Sequence, residues 1–123
     1  MEKGLSYTSK TIVNEHNTAI TMGSGDLEVF ATPALVALME NAAKRAVESS
    51  LPEGSTTVGA YIQTSHLKPS ALGEEIIATA ILEEVDGRKL TFKLKATDSQ
   101  GIVGEGTHIR YIVDICRFMN KLK

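Results

Sequence analysis

The sequence holds one cysteine, Cys116, among 123 residues, so no disulfide can form within the chain. A lone thiol suits a reducing compartment, and the chain is expected in the cytoplasm. One cysteine cannot build a thiolate zinc site, and no pair of the three histidines has metal-ligand spacing. Neither a Gly-rich phosphate loop nor a G-x-S-x-G elbow occurs. No apolar stretch approaches the roughly 20 residues of a membrane helix. The opening MEKGLSYTSK lacks an apolar run after its charges, so it does not read as a signal peptide. Positive charge is also in short supply: 13 Lys and Arg stand against 15 Asp and Glu, for a net charge of −2. With no basic stripe, neither nucleic acid nor a membrane is an expected partner.

What is present suits a folded domain. The chain is 42% hydrophobic and 23% charged, which is enough apolar material for a core and no disorder signature. Its length fits a single domain over residues 1–123. A domain this small leaves much of its surface unburied, so a partner subunit would add to its stability.

One long helix is predicted from Pro33 to Ser49, with Thr32 as its N-cap and Pro33 at the first helical position. Leu35, Met39, Ala42, Ala43 and Ala46 recur at helical spacing and make one apolar face. Strand patterns follow at Val58–His66, Glu75–Val85, Leu90–Ala96 and Ile102–Val113, with Asp86-Gly87-Arg88 as a hairpin turn. An early strand is expected near Thr8–Val13. A short C-terminal helix over Asp114–Lys121 would pack Ile115, Phe118 and Met119. One helix cannot cover both faces of such a meander, so the fold class is α+β, with the sheet wrapped around the helix. The exposed edges are most simply covered by a second copy, which predicts a homodimer.

Several residues could carry chemistry. Glu40 lies at the edge of the helix's apolar face, in a row with Val36, Ala43 and Val47. It reads either as an i,i+4 partner of Lys44 or as a partly buried carboxylate able to act as base or nucleophile. His66 ends an apolar strand face and reads as a structural residue or a general acid–base. Thr32 reads as a cap whose hydroxyl sits at the positive end of the helix. Gly59, inside a strand, marks a bulge or a close backbone approach, and its N–H could serve an oxyanion hole. His108, among glycines in Gly104-Glu105-Gly106-Thr107-His108, reads as structural, and His16 as a surface residue.

The segments VFATPALVALMENAAKRAV, TVGAYIQTSHLKPSALGEEI and GEGTHIRYIVDICRF, in this order and spacing, resemble the fluoroacetyl-CoA thioesterase-like branch of the hotdog superfamily over roughly residues 5 to 120. The resemblance implies a hotdog fold and an acyl-CoA thioesterase. Its motif positions fall on Thr32, Glu40 and His66 as catalytic residues and on Gly59 as the glycine that approaches the thioester carbonyl. It implies that Gly59 N–H binds the oxyanion and that Glu40 attacks or activates water beside Thr32. His66 would then move the proton. Because Gly59 and His66 are read on one strand, His66 is the histidine expected beside the Gly59 N–H. Water is the cosubstrate, and no metal or organic cofactor is implied. The loop Gly25-Asp26-Leu27-Glu28 lacks the aromatic residue expected of the fluoroacetate-specific enzyme, so the resemblance reaches the general thioesterase but not that acyl group. The rival reading is a non-catalytic hotdog protein that binds acyl-CoA. The Thr–Glu–His set favours the enzyme. A hydratase of the same fold would need an Asp–His pair after the helix, which is missing.

Overall fold

The computed structural model describes residues Met1–Lys123. Five antiparallel strands form one sheet in the order β1-β3-β4-β5-β2. They are β1 (Ser6–Ile12), β2 (Ser55–Thr64), β3 (Glu75–Asp86), β4 (Lys89–Asp98) and β5 (Gly101–Asp114). The long helix α2 (Thr32–Val47) packs on the sheet and is continued by a 3₁₀ turn at Glu48–Ser50. Two short helices, α1 (Ala19–Met22) and α3 (Ile115–Asn120), complete the chain. This is the expected hotdog arrangement.

The core forms where two periodicities meet. Leu35, Met39, Ala42, Ala43 and Ala46 on α2 are all buried, as their spacing predicts. They meet alternate residues of the central strands: Ile76, Ala78, Ala80 and Leu82 on β3, and Leu90, Phe92, Leu94 and Ala96 on β4. Alanines on both surfaces let the helix approach the sheet closely. The apolar run Ile76–Leu82 therefore belongs to a one-sided strand, with Ile81 turned outward and exposed.

Some expectations shift. Thr32 is the first helical residue and Ala31 the cap, and no side chain caps the helix. β2 stops at Thr64, so His66 lies in the loop beyond the strand. The predicted C-terminal helix forms, but none of its residues is buried, and Ile115 and Met119 are exposed. Helix α1 had no sequence signal because four residues are too few to show a period. Thr18 caps it, accepting from Thr21 N–H, and Gly23 ends it in the left-handed region.

β2 and β1 are the sheet edges. The β2–β5 register shifts between Gly59 and Tyr61, which leaves Ala60 without a cross-strand partner. Gly59 thus sits at a bulge, one of the two meanings its place in a strand allows.

Candidate active site

The start of α2 and the loop after β2 are laced together by backbone. Phe30 N–H donates to Ser70 C=O at 3.0 Å, and Val29 and Ala71 form an isolated bridge. The loop is held to β5 by Ser65 N–H to Glu105 C=O at 2.9 Å and Leu67 N–H to Val103 C=O at 2.6 Å. Farther along, the buried Asp98 carboxylate binds Lys68, accepts from Ser70 Oγ at 2.7 Å and accepts from Gln100 N–H at 2.8 Å. These ties bring Thr32 Oγ1 and His66 Nδ1 to 2.7 Å. A hydroxyl that caps nothing is free to make this bond. The other ring nitrogen, His66 Nε2, is buried and has no hydrogen-bond partner in the protein. Burial, and secondarily the Lys68 charge, hold the His66 pKa below its ordinary value, so the ring is neutral near pH 7. Thr32, His66, Lys68 and Phe30 line a cleft of about 250 Å³.

Glu40 belongs to a second group. It does not pair with Lys44, which turns to Glu48 at 3.4 Å. Its Oε2 lies 3.6 Å from Arg110 Nη1, an ion pair slightly longer than a hydrogen bond. The Arg110 side chain is 8% exposed and the Glu40 side chain 40%, so the cation is buried while the carboxylate opens outward. Arg110 is pinned on its other edges. Nε donates to Thr57 Oγ1 at 2.8 Å, Nη2 to Thr57 C=O at 2.9 Å, and Nη1 lies 3.2 Å from His108 Nε2. His108 Nδ1 lies 2.7 Å from Tyr61 C=O.

Gly59 closes this group. A Cβ there would lie 2.8 Å from Glu40 Oε2 and 3.4 Å from both Arg110 Nη1 and His108 Cε1. The Glu40 carboxylate stands close against the bare Cα of Gly59, and a side chain there would have to push it aside. The glycines beside His108 have a different cause: a Cβ on Gly106 would come within 2.0 Å of Gln63 O, and one on Gly104 within 2.4 Å of Ser65 O. They let β5 run close against the end of β2.

Thr32 meets His66, and Glu40 meets Gly59, but the two groups do not meet within one chain. Thr32 and Glu40 are eight residues apart on α2, about 12 Å of helix rise. The histidine beside Gly59 is His108, not the expected His66: seven residues of extended chain span roughly 23 Å and separate Gly59 from His66, whereas β5 brings His108 alongside. Sequence reasoning missed Arg110 and Thr57. One signal was available: His108 and Arg110 are two apart on β5, so they share its inward face.

The model of the fluoroacetyl-CoA-specific thioesterase family matches residues 13–115. The fluoroacetyl-CoA thioesterase of Streptantibioticus cattleyicolor is 35% identical over 96 residues, 78% of this chain and 69% of that protein. The solved structure of the fluoroacetyl-CoA thioesterase FlK superposes with a TM-score of 0.93 at 31% identity, covering 99% of this chain and 95% of that one. A hot-dog-like protein from Thermanaerovibrio acidaminovorans superposes at 0.90 with 26% identity, covering 99% and 90%. With its curled sheet around one helix and a family match over most of its length, this chain belongs to the fluoroacetyl-CoA-specific thioesterase family, a family of thioester hydrolases.

Proposed function

We propose that this thioesterase hydrolyses a small acyl-CoA to the free acid and CoA, with Glu40, Thr32, His66 and Gly59 as its working groups. The observation that carries the reading is the placement of the Glu40 carboxylate. Its Oε2 would lie 2.8 Å from a Cβ at Gly59, beside a bulge on an edge strand. Bulges leave backbone N–H groups unpaired. A thioester carbonyl set there would meet an N–H donor and a carboxylate together. As the carbonyl carbon is attacked, its oxygen gains negative charge, and the N–H stabilises that charge. Glu40 takes the proton of an attacking water, or attacks the carbon itself to form a mixed anhydride that water hydrolyses once CoA has left. The C–S bond then breaks, and the thiolate of CoA leaves and is protonated. A neutral His66 held by Thr32 can accept the proton given up by the attacking water and pass it to that thiolate.

The protein acts as one domain in a homodimer. Two copies pairing through the free β2 edge would satisfy its backbone groups. They would also allow Thr32 and His66 of one copy to reach a carbonyl held by Glu40 of the other, which about 12 Å of helix does not allow within a chain. The cytoplasm is its compartment, consistent with the free, exposed thiol of Cys116. No helix is long and apolar enough to cross a membrane.

The test is thiol release from a panel of short acyl-CoAs. Glu40→Gln keeps the shape and removes the charge. It is expected to lose roughly 10²-fold or more in turnover with an unchanged melting temperature. Full activity in this variant would end the catalytic reading of Glu40.

A further inference from the structure

His108 makes two contacts that only one form of its ring can satisfy. A carbonyl oxygen accepts and cannot donate, so the nitrogen 2.7 Å from Tyr61 C=O, Nδ1, carries a proton. A guanidinium donates and cannot accept, so the nitrogen 3.2 Å from Arg110 Nη1, Nε2, is bare. The ring is therefore neutral and fixed in the Nδ1–H tautomer. Its relative exposure is 1%, and it packs against Phe92, its cross-strand neighbour, in a tilted arrangement with ring centroids 6.2 Å apart. A second proton on Nε2 would point at the Arg110 donor. Burial chiefly, with the Arg110 charge, lowers the His108 pKa, against opposing pulls from the Tyr61 carbonyl and Glu40.

Thr57 fixes two edges of the guanidinium, and His108 alone hydrogen-bonds Nη1, the nitrogen that faces Glu40. A carboxylate gripped by an arginine fork has its lone pairs occupied. At 3.6 Å the charge is still felt, while the Glu40 oxygens remain free to attack or to accept a proton. His108 takes one of the two Nη1 N–H groups and fixes that nitrogen where it stands, 3.6 Å from Glu40 Oε2.

We propose that His108 is a positioning residue for hydrolysis: its bare Nε2 holds Arg110 Nη1 in place and so keeps the Glu40 carboxylate aimed but unclasped. The inference rests on the reading of Glu40 as the reacting carboxylate. It gives His108 a role beyond the structural one that its glycine neighbours suggest.

Two substitutions separate the contacts. His108→Gln can set an amide oxygen where Nε2 stands, keeping the acceptor for Arg110 and losing the tie to Tyr61. His108→Asn can set an amide N–H where Nδ1 stands, keeping Tyr61 and losing Arg110. Steady-state kinetics on the best acyl-CoA of the panel would be read with a thermal melt of each variant, at a temperature where both are folded. His108→Asn is expected to lose up to about 10²-fold in kcat, the size of a misplaced catalytic group, with KM little changed. His108→Gln is expected to keep most of kcat even if its melting temperature is the lower of the two. Any other ordering overturns the proposal, including equal losses, which a purely structural role would give. The wild-type protein supplies a test that no folding failure can obscure: long-range ¹H–¹⁵N correlation should show the His108 proton on Nδ1, and a proton on Nε2 overturns it. Glu40→Gln is measured alongside. If it is inactive while His108→Asn is fully active, the Glu40 reading stands and this inference falls. If it is active, both fall.

Discussion

The two halves of the candidate site are built in opposite ways. Thr32 and His66 share one hydrogen bond, sit on a helix end and a loop, and leave Thr32 exposed and His66 Nε2 unpartnered. Glu40 faces a buried arginine that is fixed by a hydroxyl, a carbonyl and an imidazole on adjacent strands. One half is lightly held, with an exposed hydroxyl and a buried ring nitrogen beside its cleft. The other is over-determined, and only its carboxylate looks outward. A loop can hold a neutral ring beside a cleft by a single tie. A charge that must be aimed without being neutralised needs a rigid, low-dielectric frame, which only the sheet interior supplies. Damage to the first half, or to the outward-facing Glu40 carboxylate, should therefore cost rate without fold, and damage to the buried frame around Arg110 should cost both.

The largest effect is expected at His66. His66→Ala should lower turnover by roughly 10²–10⁴-fold. Its stability should hardly change, because the substitution removes an unsatisfied buried nitrogen and frees an exposed threonine to bind water. A large fall in melting temperature would erase the contrast between the two halves.

At Arg110 the outcome is mixed. Arg110→Met strips the donors from both Thr57 groups and leaves His108 Nε2 unpaired, which should cost about 3 kcal/mol in a urea melt as well as activity. If the variant is as stable as the wild type, the buried network is not structural.

A smaller but more pointed effect comes from mixing subunits. Thr32→Ala and Glu40→Gln chains, each impaired alone, should regain about a quarter of the wild-type activity when refolded together in equal amounts, because half the dimers would be mixed and carry one intact site of two. No gain on mixing would place each working set within a single chain.

The gentlest effect is that of pH on stability. His66 and His108 both titrate below the ordinary 6.5 in the folded chain. The unfolded chain therefore binds protons that the folded one refuses, and stability falls as pH drops below 6.5. The Asp98 pKa is held below 3.8 by its bonds to Lys68, Ser70 and Gln100 against the opposing effect of burial. Its contribution is present above that value and is lost lower still. Melting temperatures read downward from pH 7 should thus decline in two stages, and His108→Gln should shrink the first. A flat profile between pH 7 and 5 would mean that neither ring is buried neutral.

Much of this molecule was legible before folding. The spacing of Leu35, Met39, Ala42, Ala43 and Ala46 named the buried helix face, and alternation at Leu90, Phe92, Leu94 and Ala96 named a one-sided strand. Those signals are local, because a period needs only neighbours in the chain. Thr32, Glu40, His66 and Gly59 stood out through a family resemblance in their order and spacing. The pairing of Thr32 with His66 was not readable from residues 34 apart, and it is set by loop contacts such as Phe30 to Ser70 and Leu67 to Val103.

The sequence by itself determined the α+β class, the helix and its buried face, the four long strands and the hairpin at Gly87. Each follows from propensity, periodicity or turn chemistry over a few consecutive residues. The tertiary structure alone decided which histidine stands beside Gly59, which cation faces Glu40, and why Gly59 has no side chain. Those facts depend on Glu40, Thr57, His108 and Arg110 converging from a helix and two strands. Hydrogen bonds and charge pairs act over a few ångströms of space, and chain order carries no record of which distant residues will lie that close.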